Sequence, residues 1–199
     1  MDYLYQNVDK IIGGFAMCIS ALGYWLTKKI SQRKPKAKVH QQVQDAHRVY
    51  DALQKCVYTT DVCRSVILKT HNGGGLLDAR NSMYSSIIYE VTTPGHRLLK
   101  EEWQGRALDL EYLGLLRLLM KSPHDPLKIK TETIGSHQLK VLHEAHGIEY
   151  CVVQLISQSA SSIYYMSFQF PKGKKLDHIS EAAIDVCVNK IKRIFKKKR

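Results

Sequence analysis

The alternation of apolar and polar positions divides the chain at about residue 39. Ahead of that point Ile11 to Leu26 (IIGGFAMCISALGYWL) carries no charge and leads straight into Lys28, Lys29, Arg33, Lys34, Lys36 and Lys38. A helix over this run spans about 24 Å against a hydrocarbon core of roughly 30 Å, and Val8, Ile30 and a snorkelling Lys10 make up the difference. Tyr3 and Tyr5 on one side, with Tyr24 and Trp25 on the other, sit where a spanning helix places its aromatic belts. The pattern predicts a transmembrane anchor in residues 1–30, a basic linker in 31–38 interrupted by Pro35, and a domain in 39–199. A secretory signal is excluded by Asp2 and Asp9 around a lone Lys10 and by the absence of a small-residue cleavage site. Met17 is too large for lipoprotein cleavage at Cys18, and an interfacial helix needs a charged face that this run lacks. The basic flank follows the anchor, so the domain is expected on the cytoplasmic side of the inner membrane, in a single-pass topology.

Beyond residue 39 the period changes repeatedly. Val39, Val43, Ala46, Tyr50, Leu53 and Val57 form a heptad-like stripe on a helix, which suits pairing with a second copy or packing on its own domain. Val62 to Thr70 (VCRSVILKT) reads as a central strand ending in His71, Asn72 and three glycines. Met83 to Val91 alternates, with Met83, Ser85, Ile87, Tyr89 and Val91 on one face, until Pro94 and Gly95 turn the chain. Asp109 is a plausible N-cap for a helix carrying Tyr112, Leu113, Leu116 and Met120 and stopped by Pro123 and Pro126. Leu127, Ile129 and Thr131 alternate with charged residues, as in a half-exposed strand near an edge. Ser136 caps a short helix that ends at Gly147. Ile148 to Ser157 and Ile163 to Phe170 form a hairpin, and a last helix begins near Asp177 with Ile184, Val188, Ile191 and Phe195 on one face. The order α-β-β-α-β-α-β-β-α implies an α+β fold around a mostly antiparallel sheet.

Charge sharpens this picture. The net charge of +12 is terminal: six basic residues lie in 28–38 and seven close the chain (Lys190, Lys192, Arg193, Lys196, Lys197, Lys198 and Arg199), leaving 17 basic and 18 acidic residues elsewhere. Such juxtamembrane clusters attract anionic headgroups by about 1 kcal/mol per Lys or Arg, so the lipid bilayer is the expected partner and a nucleic-acid face is not. Five cysteines (Cys18, Cys56, Cys63, Cys151, Cys187) form no C-x-x-C pair and sit among apolar residues, as free thiols in a reducing compartment do.

The element order, with CRSVILKTHNGGG followed by MYSSIIYEV and later HGIEYCVVQLI, resembles GAF-like (GAF/PAS-like) domains. It is similar to a group of small phage, prophage and bacterial membrane proteins that have one N-terminal transmembrane helix, a basic or helical linker and a GAF-like domain whose first strand ends in His-Asn-Gly-Gly. The resemblance covers about residues 39–199 and implies a fold more than a function, because GAF domains bind very different ligands or simply dimerise.

The loop His71, Asn72, Gly73, Gly74 and Gly75 is the candidate ligand site, since glycine backbone N–H groups can cradle an anion while the His and Asn orient a ligand. The alternative is a tight turn needing positive φ. It matches neither nucleotide-binding glycine motif. His143, Glu144 and His146 lack H-E-x-x-H spacing, so no metal is assigned, and Cys63 and Cys151 lie in apolar strands where a thiolate is disfavoured. No catalytic constellation survives and no cofactor is implied. The expectation is a membrane-anchored, dimeric GAF-like binding or regulatory module without catalysis; a holin-like lysis protein and a membrane tether for nucleic acid are the alternatives.

Overall fold

The computed structural model describes residues 22–25, 28, 39–73 and 82–196. The chain divides into a unit of residues 1–46 and a unit of residues 47–199. Residues 39–59 are helical (α1). There follow β1 (Arg64–His71), β2 (Tyr84–Thr92), β3 (Arg106–Ala107), α2 (Leu110–Lys121), β4 (Leu127–Lys130), a 3-10 turn (Thr131–Thr133), α3 (His137–Ala145), β5 (Ile148–Gln158), β6 (Ile163–Pro171) and α4 (His178–Lys196). The expected order is present with one insertion, the two-residue β3.

The strands form one sheet in the order β3-β2-β1-β6-β5-β4, and every pairing is antiparallel. β4 stands at an edge, as its charge alternation predicts. Local signals set the helix ends: Asp109 accepts from the Tyr112 amide, Ser136 accepts from the Leu139 amide, and Gly147 closes α3 at φ 63°. Asp177 does the same for α4 by accepting from the Ser180 amide.

Strand alternation splits the core in two. On one face Ile67, Val152, Met166, Phe168 and Phe170 pack under Leu53 and Val57 of α1 and Ile184, Val188 and Ile191 of α4. On the other, Val66, Leu68, Cys151, Val153 and Tyr165 pack under Trp103, Leu99 and the α2 residues Tyr112, Leu116 and Leu119. Both faces are covered, so the central strands read as nearly continuous apolar runs.

Two expectations are corrected. β2 does not alternate throughout: the register with β1 passes from Ile67 opposite Tyr89 to Leu68 opposite Ile87, leaving Ile88 as an extra residue. This bulge reverses the faces, so Ile87 packs on the α2 side while Tyr89 and Val91 pack on the α1/α4 side. The heptad-like stripe is likewise not one exposed seam. Leu53 and Val57 are consumed by the domain's own core, whereas Val39, Val43 and Tyr50 are exposed. Among the described residues no helix is long and apolar enough to cross a membrane; the run 11–26 lies outside them except for residues 22–25.

Candidate functional site

The predicted glycine loop is only partly described. Gly73 has φ 80° and donates its N–H to His71 Nδ1 (3.3 Å), which leaves Nε2 to donate to Ser86 Oγ (3.1 Å). Ser86 Oγ also accepts from the Gly105 amide (2.9 Å), so His71 ties the end of β1 to β2 and to the turn before β3. Both ring nitrogens are engaged locally, as in a turn held by its own side chain. Gly74 and Gly75 lie outside the described residues. Of the basic clusters, Lys28, Lys190, Arg193 and Lys196 are described and exposed and Lys192 is described and half-buried; Lys29, Arg33, Lys34, Lys36, Lys38, Lys197, Lys198 and Arg199 lie outside the described residues.

The α2-covered face of the sheet is built differently, beginning with a charge inside it. Arg64 lies in β1 with its side chain sealed from solvent. Its Nε is 3.1 Å from Glu90 Oε1, Nη1 donates to Gln169 Oε1 (2.8 Å) and Nη2 donates to the Arg97 carbonyl (2.6 Å). Glu90, turned inward beyond the β2 bulge, accepts from the amides of Leu99 (2.8 Å) and Lys100 (2.7 Å). The pair therefore clamps the segment after β2 onto the sheet. Trp103 follows one turn later, its N–H donating to the Leu99 carbonyl (2.9 Å) and its carbonyl accepting from the Ile87 amide (3.1 Å).

Under this clamp lies a cavity of about 30 Å³ lined by Val66, Leu68, Trp103, Tyr112, Cys151 and His143 among others, room for a water molecule and little more. Three polar features belong to residues of its lining. The Trp103 indole N–H is buried with no hydrogen-bond partner among the described residues. His143 Nδ1 is 3.1 Å from Thr131 Oγ1, whose proton is committed to the Ile148 carbonyl (2.7 Å). Nδ1 must therefore donate, which leaves Nε2 as an acceptor. Burial, with Arg64 and His146 adding to it, pushes the His143 pKa down to about 4, so the ring is neutral near pH 7. Third, Tyr112 and Tyr165 join hydroxyls at 2.7 Å, and Ser85 Oγ meets Tyr165 at 3.0 Å. Cys151 in the same wall has its thiol pushed up to about 12 by burial, which removes it as a nucleophile.

Outside the cavity a groove of about 550 Å³ runs along α2, β4 and the start of α3. Tyr112, Leu115, Ile129 and Leu139 line both spaces, so a single layer of side chains separates them. Neither space is lined by His71, Asn72 or Gly73. Among the described residues no group of three His, Cys, Asp or Glu side chains is placed to hold a metal; His143 is bound to Thr131, and His146 lies 3.6 Å from Glu102.

Solved structures resemble this fold over most of its length. A far-red cyanobacteriochrome photoreceptor matches with a TM-score of 0.58 at 13% identity, over 85% of this chain and 97% of that one. GAF3 of a Synechocystis protein, in its photoproduct state, matches with a TM-score of 0.54 at 11% identity over 77% and 95%. The GAF domain of a two-component sensor histidine kinase from Bacillus halodurans matches with a TM-score of 0.50 at 12% identity over 77% and 97%. The fold is that of a GAF domain. No protein-family model and no curated protein sequence matches the chain. The likeness carries the fold half of the resemblance read from the sequence and has no bearing on phage-type membrane proteins or on the His-Asn-Gly-Gly motif.

Sequence reasoning did not single out Arg64, Glu90 or Trp103. The first two carried a signal: an arginine inside the apolar run VCRSVILKT, and the adjacent Ile87 and Ile88 that break an alternating strand.

Proposed function

We propose that the protein is a membrane-anchored GAF-like regulatory module that binds a small molecule on the α2-covered face of its sheet and acts without catalysis. The observation that carries this reading is the unpartnered indole N–H of Trp103, a residue in the wall of an apolar cavity that neutral His143, with Nε2 left as an acceptor, also lines. A buried donor left unsatisfied costs about 1–3 kcal/mol, a cost that a bound carbonyl or hydroxyl removes. One donor and one acceptor in apolar surroundings suit a small neutral molecule rather than an ion. The cavity as it stands holds little more than a water molecule, so binding requires the layer formed by Leu115, Ile129 and Leu139 to part, which both opens and enlarges the space and couples binding to the positions of α2 and α3.

The uncharged run 11–26 and its basic flank support the anchor, and the near-neutral body supports a lipid rather than a nucleic-acid partner for the termini. The full chain in detergent, screened with small neutral carbonyl and hydroxyl compounds, tests the ligand reading. Binders should move the Trp103 indole N–H resonance and raise the melting temperature. Binders that leave the indole unmoved would place the ligand elsewhere. Alkaline carbonate extraction tests the anchor, and release of the protein into the supernatant would contradict it.

A further inference from the structure

The outer groove has a chemistry of its own. Its floor and walls carry Leu115, Leu118, Leu127, Ile129, Ile134 and Leu139. Most of its polar groups are already engaged: Ser136 Oγ caps α3 and donates to Asp109 Oδ2 (2.7 Å), Thr133 Oγ1 donates to the Lys130 carbonyl (2.9 Å), and the Tyr112 hydroxyl is held by Tyr165. Arg117 and Lys121 differ. They stand one helical turn apart on α2, both exposed and both lining the groove, and among the described residues neither makes an ion pair or a side-chain hydrogen bond. Glu111 lines the opposite end, about 15 Å away along the helix axis from Lys121, and its stem packs against Gly135. The groove thus has an aliphatic trough, a cationic end and an acidic end.

Gly114 is the second observation. It lies mid-helix on α2 and lines the groove, its φ is not positive, and a Cβ built there meets nothing within 4 Å. Neither backbone conformation nor crowding requires glycine, and a helix interior disfavours it. What the missing side chain does is leave the trough open.

We propose that this groove binds a straight-chain carboxylate amphiphile, its alkyl chain along Leu115, Leu118, Leu127 and Ile129 over Gly114 and its carboxylate on Arg117 and Lys121. The guanidinium takes a carboxylate through two parallel N–H donors and the ammonium adds a point charge, while the volume falls within the range of small-molecule sites. Glu111 excludes a second anionic group at the far end, so a monocarboxylate fits and a dicarboxylate does not. The site is distinct from the cavity assigned to a neutral ligand above, and its test does not depend on that assignment.

The probe is octanoate, titrated into the full chain in a non-ionic detergent with the methyl resonances of Leu118 and Ile134 as the readout, so that partition into micelles does not register. These methyls should shift saturably with octanoate, and not with octanol or octyltrimethylammonium. Arg117→Gln with Lys121→Gln should weaken binding about tenfold or more. Gly114→Leu should abolish binding while raising the melting temperature, which separates a filled groove from a damaged fold. Saturable binding that survives Gly114→Leu, equal binding of octanol, or no shift with octanoate would each overturn the proposal. The Trp103 indole resonance reports on the inner cavity independently, so failure here and failure there are separately visible.

Discussion

Arg64 and Glu90 meet inside the domain, Nε to Oε1 at 3.1 Å, with side chains 0% and 1% exposed. The loop of residues 93–100 hangs on that contact, because Glu90 also holds the Leu99 and Lys100 amides and Arg64 holds the Arg97 carbonyl. A buried pair adds little stability over a well-packed apolar pair, but breaking it leaves a charge with no counterpart. Glu90→Leu is therefore expected to cost about 3–5 kcal/mol in urea unfolding, and Arg64→Met combined with Glu90→Leu to recover part of it. A loss below about 1 kcal/mol for the single variant would show that the clamp does not hold the loop.

His143 makes stability depend on pH. Its folded pKa, about 4, lies below the usual 6.5, so the unfolded chain binds more protons between those values. The contribution is fully present above about pH 6.5 and is lost as pH falls toward 4, amounting to about 3 kcal/mol. His143→Asn keeps an N–H for Thr131 and removes the titration, so its stability curve between pH 7 and 4 should be flatter than that of the parent. An equal slope in both would assign the acid sensitivity to other groups.

The glycine-loop histidine makes the opposite kind of prediction. His71→Ala removes the contacts to Ser86 and Gly73 and is expected to destabilise by about 1–2 kcal/mol, since each neutral bond is worth around 1. Thermal unfolding measures it, and an unchanged melting temperature would point back to a ligand role for this loop.

We propose that two copies pair through the exposed part of the helical stripe, Val39, Val43 and Tyr50. Leu53→Asp places a charge where the parent side chain is wholly buried, so it should abolish folding rather than give a folded monomer. Val43→Asp, at an exposed position, should leave circular dichroism intact and lower the mass in sedimentation equilibrium. An unchanged mass in a protein that is dimeric beforehand would move the interface elsewhere.

How far the sequence could be read follows from where the physics is local. Caps at Asp109, Ser136 and Asp177, the φ 63° glycine at Gly147 and the edge alternation of β4 depend on near neighbours, and each is found where the residues place it. Which face a residue occupies is not local. The stripe at Val39, Val43, Tyr50, Leu53 and Val57 is regular in sequence, yet only its second half faces the sheet. The extra residue at Ile88 turned Glu90 inward toward an arginine 26 positions earlier, and only the β1–β2 pairing reveals that. Trp103 sits in the turns between β2 and β3, where no apolar period marks it, and its importance comes from the clamp that holds it over the cavity. Gly114 carries no local signal, because what its missing side chain leaves open is a groove formed with β4 and the start of α3.

Native mass spectrometry of the full chain carrying Gly114→Leu, released from mild detergent, tests ligand binding under the sheet with the outer groove filled. The expected spectrum contains a species heavier by one small molecule, absent when Val153→Phe is added to fill the inner cavity. A bare mass without Val153→Phe, or an adduct that persists with it, would contradict a ligand site beneath Trp103.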